Sequence, residues 1–143
     1  MLIQNREITH PDVTLLVRSA EDELRIRYPD EVPSLLAAHA KFVVAYVLGR
    51  PVGCGALVLM DAGVAEIKRM FVQETSRRGG VARRLLHALE RRADAANVTT
   101  LLLETGNSNT GAIALYESAG FERIEPFGEY VGNPLSVCFR KKI

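Results

Sequence analysis

Four arginines crowd one glycine-bearing stretch, "RRGGVARRLL", from Arg77 to Leu86. Arg77, Arg78, Arg83 and Arg84 flank Gly79, Gly80 and Val81, and Ala82 with the leucines starts a helical repeat. A helix N-terminus already carries about half a positive charge. Its first N–H groups have no partner inside the helix. Glycine lets backbone come close to a ligand without a Cβ in the way. Arginine adds forked, charge-assisted donors that match phosphate oxygens. The stretch therefore suits an anion of more than one charge. An arginine-rich face turned to water fits the same residues, and the stretch alone leaves both readings open. It lacks the Lys and Ser/Thr that close a nucleotide-binding P-loop. It also lacks the G-x-G-x-x-G spacing of a dinucleotide site.

Hydrophobic spacing shows what must position this stretch. "MLIQNREI" suits a first strand, and Thr9, His10, Pro11 and Asp12 suit a helix start. In "DVTLLVRSAEDELRIRY", Leu15, Leu16, Ala20 and Leu24 fall on one helical face. "PSLLAAHA" is expected to form a short second helix. "KFVVAYVLG" and "VGCGALVLM" form a hairpin around "GRP", and "VAEIKRMFV" adds a third antiparallel strand. A helix from about Val81 to Ala96 should bury Ala82, Leu86, Leu89, Ala93 and Ala96. "TTLLLETG" is a strand, and "NTGAIALYESAG" is a helix closed by Gly120 with Phe121 as the apolar residue after it. "FERIEPFGEY" and "LSVCFRKKI" supply the last strands. The layout is mixed α/β with an antiparallel first half.

The 143 residues suit one domain, and 48% hydrophobic with 24% charged residues suits a packed core. A net charge of +1 gives no general attraction to nucleic acid or membrane, so any positive site is local. Cys54 and Cys138 make no metal-ligand pattern, and His10, His39 and His87 are scattered. No metal is expected. The cysteines fit a reduced, cytoplasmic chain, and a disulfide between them stays open. The N-terminus turns polar at once, unlike a signal peptide.

Arg77 to Ala82 resembles the pyrophosphate loop of the GCN5-related N-acetyltransferases, patterned Gln/Arg-x-x-Gly-x-Gly/Ala, with Arg77, Gly80 and Ala82 in the defined places. "NTGAIALYESAGF", Asn109 to Phe121, is similar to the family's second motif. Arg78 and Ala82 stand where the family often has glycine. The resemblance spans nearly the whole chain and implies a single domain over residues 1–143. The implied fold is a mixed sheet of about six to seven strands with four helices, splayed between strands 4 and 5. Acetyl-CoA would be the cosubstrate and an amine the acceptor. No nucleic acid or membrane would take part. A homodimer is compatible with the family, though no residue encodes one.

The resemblance also implies roles. Met70, Phe71 and Val72 would run beside the pantetheine arm, as an amide-bearing chain can add to a strand edge. Arg77, Arg78, Gly79, Gly80, Val81, Ala82 and Arg83 would hold the pyrophosphate, leaving Arg84 to water. Asn109 and Ala112 would lie near the CoA arm, with Asn109 suited to cap its helix. Tyr116 would protonate the departing thiolate, since a phenol of pKa about 10 can do so when held close. Glu66, with Glu104 second, would take the amine's proton, burial raising each into a useful range. A buried ion pair with Lys68 or Arg69 explains the same carboxylates. Tyr28, Glu129 and Tyr130 would line the acceptor site. A non-catalytic acyl-CoA-sensing domain is the alternative.

Overall fold

The computed structural model describes residues 1–143. Strand β1 (Leu2–Arg6) leads into helix α1 (Pro11–Arg27). Strands β2 (Lys41–Val47), β3 (Arg50–Asp61) and β4 (Val64–Val72) form an antiparallel meander. Helix α2 (Val81–Ala95), β5 (Thr100–Gly106), α3 (Thr110–Ser118), β6 (Glu122–Ile124) and β7 (Ser136–Lys142) complete the chain. The seven strands form one sheet in the order β1-β2-β3-β4-β5-β7-β6. β4 and β5 are parallel neighbours, while every other pairing is antiparallel.

Strand alternation divides the core between the two faces. Val43, Leu57, Ala65, Ile67, Leu101 and Leu103 meet Leu85, Leu86 and Leu89 of α2 and Tyr116 of α3. Phe42, Val44, Cys54 and Ala56 meet Val13 and Leu16 of α1 on the other face. The α2 stripe is close to the one expected, except that Val81 and Leu85 are buried and Ala96 lies exposed past the helix end. In α1 the buried residues are Val13 and Leu16, while Leu15 and Leu24 face outward. The helix is rotated so that Val13, Leu16 and Val17 meet the sheet.

The structure has three α-helices rather than four. "PSLLAAHA" forms no helix, and Leu35 is 93% exposed. Side chains from β4 take the carbonyls that a helix would use internally. Lys68 Nζ donates to the Leu35 carbonyl at 3.3 Å, and the Arg69 guanidinium donates to the Ser34 carbonyl. Both cysteines are free and buried. No helix is long and apolar enough to cross a membrane.

Leu89 is fully buried where α2 presses on the sheet. Leu89→Ala should lower unfolding free energy by about 2–5 kcal/mol through lost transfer and a residual cavity. A lower urea midpoint at unchanged slope would report it.

Candidate active site

Parallel pairing of β4 with β5 covers Val64–Ile67 against Thr100–Leu103 and then stops. Both strands continue, β4 to Val72 and β5 to Gly106. Their parting coincides with a bulge. Cys54 opposes Phe71 and Ala56 opposes Lys68, so Gly55 alone faces Arg69 and Met70. Arg69 sits in the left-handed region at φ 57°, and such a bulge bends its strand and sharpens the local twist. A cavity of about 340 Å³ opens in the gap. Its wall includes Met70, Phe71, Glu104, Asn109, Ala112 and Tyr116, with Tyr28, Glu129 and Tyr130 at the other end.

α3 brings Tyr116 to this gap from the α2 side of the sheet. Its start is capped by Asn109, whose side-chain oxygen accepts from the Ala112 N–H at 3.3 Å. Its end is locked by two bonds. Phe121 N–H donates to the Tyr116 carbonyl at 3.0 Å, and Gly120 N–H donates to Glu117 at 3.2 Å. Gly120 supplies the left-handed φ of 91° that this ending requires. The Phe121 and Tyr116 rings meet edge to face at 5.9 Å, and Phe139 lies 6.0 Å from Tyr116 on another side. Tyr116 is 5% exposed. Burial, with the Glu104 charge adding, raises its pKa and keeps the phenol protonated.

Ala65 and Ile67 point toward α2, so Glu66 and Lys68 point to the opposite face. Glu66 is buried and does not line the cavity. Its Oε2 accepts from the Tyr130 hydroxyl at 2.6 Å and lies 4.0 Å from Lys68 Nζ. Burial raises its pKa, against the pull of Tyr130 and Lys68. Glu104 lines the cavity, and its Oε2 accepts from the Ser136 hydroxyl at 2.6 Å. Burial raises its pKa as well, the Ser136 bond opposes this, and the charges of Glu66, Glu129 and Glu31 add to it. The ion pair with Lys68 that the alternative reading of Glu66 offered is present, and Lys68 is shared with Glu129 at 3.2 Å.

Two loops close the far end. Tyr28 lies over Gly106, where a Cβ would come within 2.1 Å of its hydroxyl. That hydroxyl is 2.6 Å from Ser108 Oγ and accepts the Ser108 N–H at 2.9 Å. Asn133 Nδ2 donates to Glu31 Oε1 at 2.8 Å, joining the loop after α1 to the loop before β7. Ser108 and Asn133 in loops, and Ser136 at the first position of β7, escaped the sequence reading, because isolated short polar residues carry no periodic signal.

The glycine–arginine stretch lies beyond the cavity, after β4. Gly80 precedes α2 at φ 80°, and Arg78 shares the left-handed region at φ 68°. The first intrahelical acceptor is the Gly80 carbonyl, bonded by Arg84 N–H at 3.1 Å. The Val81, Ala82 and Arg83 N–H groups have no partner inside the helix, and such groups suit an anion. The arginines are less available than their sequence suggests. Arg77 pairs with Glu23, donates to the Val72 carbonyl at 2.9 Å and lies over the Phe71 ring. Arg83 donates to Ser118 Oγ at 2.7 Å. Arg78 and Arg84 are exposed.

The family model described as "Acetyltransferase (GNAT) family" matches residues 6–121. An "IAA acetyltransferase" of Azospirillum brasilense is 41% identical over 138 residues, covering 92% of this chain and 90% of that protein. A structure assigned as an acyl-CoA N-acyltransferase from Klebsiella pneumoniae superposes with TM-score 0.86 at 30% identity, covering 99% and 96% of the two chains. A GNAT family acetyltransferase from Elizabethkingia anophelis, solved with acetyl-CoA bound, has the same fold at TM-score 0.77 and 21% identity, covering 99% and 97%.

Burial holds Glu104 above the ordinary carboxyl value of 4.5 in the folded chain. A group bound more tightly to its proton when folded favours the fold below the unfolded value. That contribution is lost as pH rises through the raised one. Glu104→Gln removes this titration. Its stability relative to the parent should therefore climb as pH is raised from 4.5. Urea unfolding across pH checks this, and a pH-independent difference would contradict a buried titrating carboxyl.

Proposed function

The chain belongs to the acetyltransferase (GNAT) family, and we propose that it moves the acetyl group of acetyl-CoA to a primary amine of a small molecule or peptide by direct attack. The parting of β4 and β5 carries this reading. It places a phenol from one face and a carboxyl from the other on one cavity wall. Unpaired helix N–H groups lie just beyond the end of β4.

In this reading the Val81, Ala82 and Arg83 N–H groups bind the pyrophosphate, with Gly80 keeping the approach open and Arg78 adding charge. Arg77 and Arg83 then act mainly by fixing the loop, through Glu23 and Ser118. The part of β4 beyond Ile67 that no longer pairs with β5, around Met70 and Phe71, offers backbone groups on that edge to the pantetheine arm. Bound acetyl-CoA supplies the thioester, whose acyl carbon the amine attacks. Tyr116 gives its proton to the sulfur as the carbon–sulfur bond breaks. Glu104 and Glu66 are the proposed acceptors of the amine's proton, Glu104 directly from the wall. Tyr28, Glu129 and Tyr130 shape the acceptor end. Two free buried cysteines support a reducing, cytoplasmic setting.

Thermal unfolding with acetyl-CoA tests the cosubstrate. A ligand at about 100 times its dissociation constant adds about 2.7 kcal/mol. Absence of any shift at millimolar acetyl-CoA would overturn the reading. Gly80→Asp should abolish the shift by setting a carboxylate against the pyrophosphate. Tyr116→Phe should keep the shift and lower turnover by about 10²-fold, within the range of general acid catalysis. An unchanged rate would remove the acid role. A shift without turnover on any amine of a broad panel would favour an acyl-CoA sensor.

A further inference from the structure

Glu66 is a buried carboxyl on β4 with no place on the cavity wall. Tyr130 has both a place on the wall and a 2.6 Å hydrogen bond to Glu66 Oε2. We propose that the Tyr130 hydroxyl is a catalytic relay, carrying the acceptor's proton from the cavity to Glu66. The proposal rests on the acetyltransferase reading above.

The geometry restricts the alternatives. Tyr130 closes a 3-10 turn, Gly128–Tyr130, and its ring is braced edge to face by Phe127 at 5.2 Å. The hydroxyl donates inward to Glu66, so its oxygen lone pairs remain to accept from a group in the cavity. Behind it, Glu66 Oε2 lies 4.0 Å from Lys68 Nζ, which also donates to Glu129 at 3.2 Å and to the Leu35 carbonyl. Lys68 supports the carboxylate before transfer, and burial favours the protonated acid after it. The charged and titratable groups around the pair are Lys68 and Arg69 of β4, Glu104 of β5, Cys138 of β7 and Glu129 beside Tyr130.

The step balances. A neutral amine forms its bond to the acyl carbon, and its nitrogen becomes cationic. One N–H proton passes to the Tyr130 oxygen as the phenol's own proton passes to Glu66 Oε2. The nitrogen ends as a neutral amide, Tyr130 as a phenol again, and Glu66 as a carboxylic acid. The carbon–sulfur electron pair leaves with sulfur, which takes the Tyr116 proton. Exchange with water restores Glu66 and Tyr116.

The test uses Tyr130→Phe, Glu66→Gln and the double variant, with thiol release measured on an amine that the parent acetylates. Each single variant should lose about 10²-fold in kcat/KM for the amine. The double variant should lose no more than either single one, because the two groups act as one unit. A proton inventory in mixed H₂O and D₂O should be bowed in the parent and linear in Tyr130→Phe. Stabilisation by acetyl-CoA should match the parent in all three, a result that global damage would not give. Tyr130→Phe with parental kcat/KM, or losses that multiply in the double variant, overturns the relay and leaves acetyl transfer standing. If Tyr130→Phe does not fold, Glu66→Gln decides, since glutamine still accepts from Tyr130, and a parental rate there overturns the relay equally. A parent that acetylates no amine overturns both the relay and the acetyltransferase reading.

Discussion

Every part of the site depends on β4 and β5 staying hydrogen-bonded for four residues each and then separating. A parallel pair that ran to its full length would bury its backbone groups in one ladder and seal the two faces from each other. The bulge at Arg69 and Met70 ends that ladder on the β4 side. Arg69 holds a left-handed conformation that costs about 1–2 kcal/mol for a side chain of its kind. Hydrogen bonds from its guanidinium to the Ser34 side chain and carbonyl offset part of that cost. Strain at the bulge and order in the loop after α1 are therefore one arrangement.

The motifs with local physics were legible in the sequence. Gly120–Phe121 announced a helix ending, and that ending fixes Tyr116 by two backbone bonds and a ring contact. Asn109 announced a cap and serves as one. Gly79 and Gly80 announced a break just before a helix, and Gly80 holds the left-handed φ of 80° at that start. In the structure Glu104 faces away from Leu103, and Glu66 faces away from Ala65 and Ile67, as the two-residue strand period requires.

What sequence could not supply was partnership across distance. Arg77 and Glu23 are far apart in the chain, and no spacing rule joins them. The same is true of Tyr130 with Glu66 and of Ser136 with Glu104. The failed helix at "PSLLAAHA" has a similar origin. The segment was expected to be helical, yet side-chain donors from β4 claimed its carbonyls and left Leu35 in solvent. Tertiary hydrogen bonds overruled a weak local preference.

The gap also separates two inheritances. In the proposed reading the walls toward the thioester come from β4, β5 and α3, elements held by the main core. The walls toward the acceptor come largely from residues 28–34 and 129–135, which belong to loops joined by single side-chain bonds such as Asn133 to Glu31. Changes in those loops leave the leucine layer under α2 untouched. If the proposed roles hold, a lineage built on this scaffold can exchange one amine for another while keeping the β4, β5 and α3 walls and most of its stability.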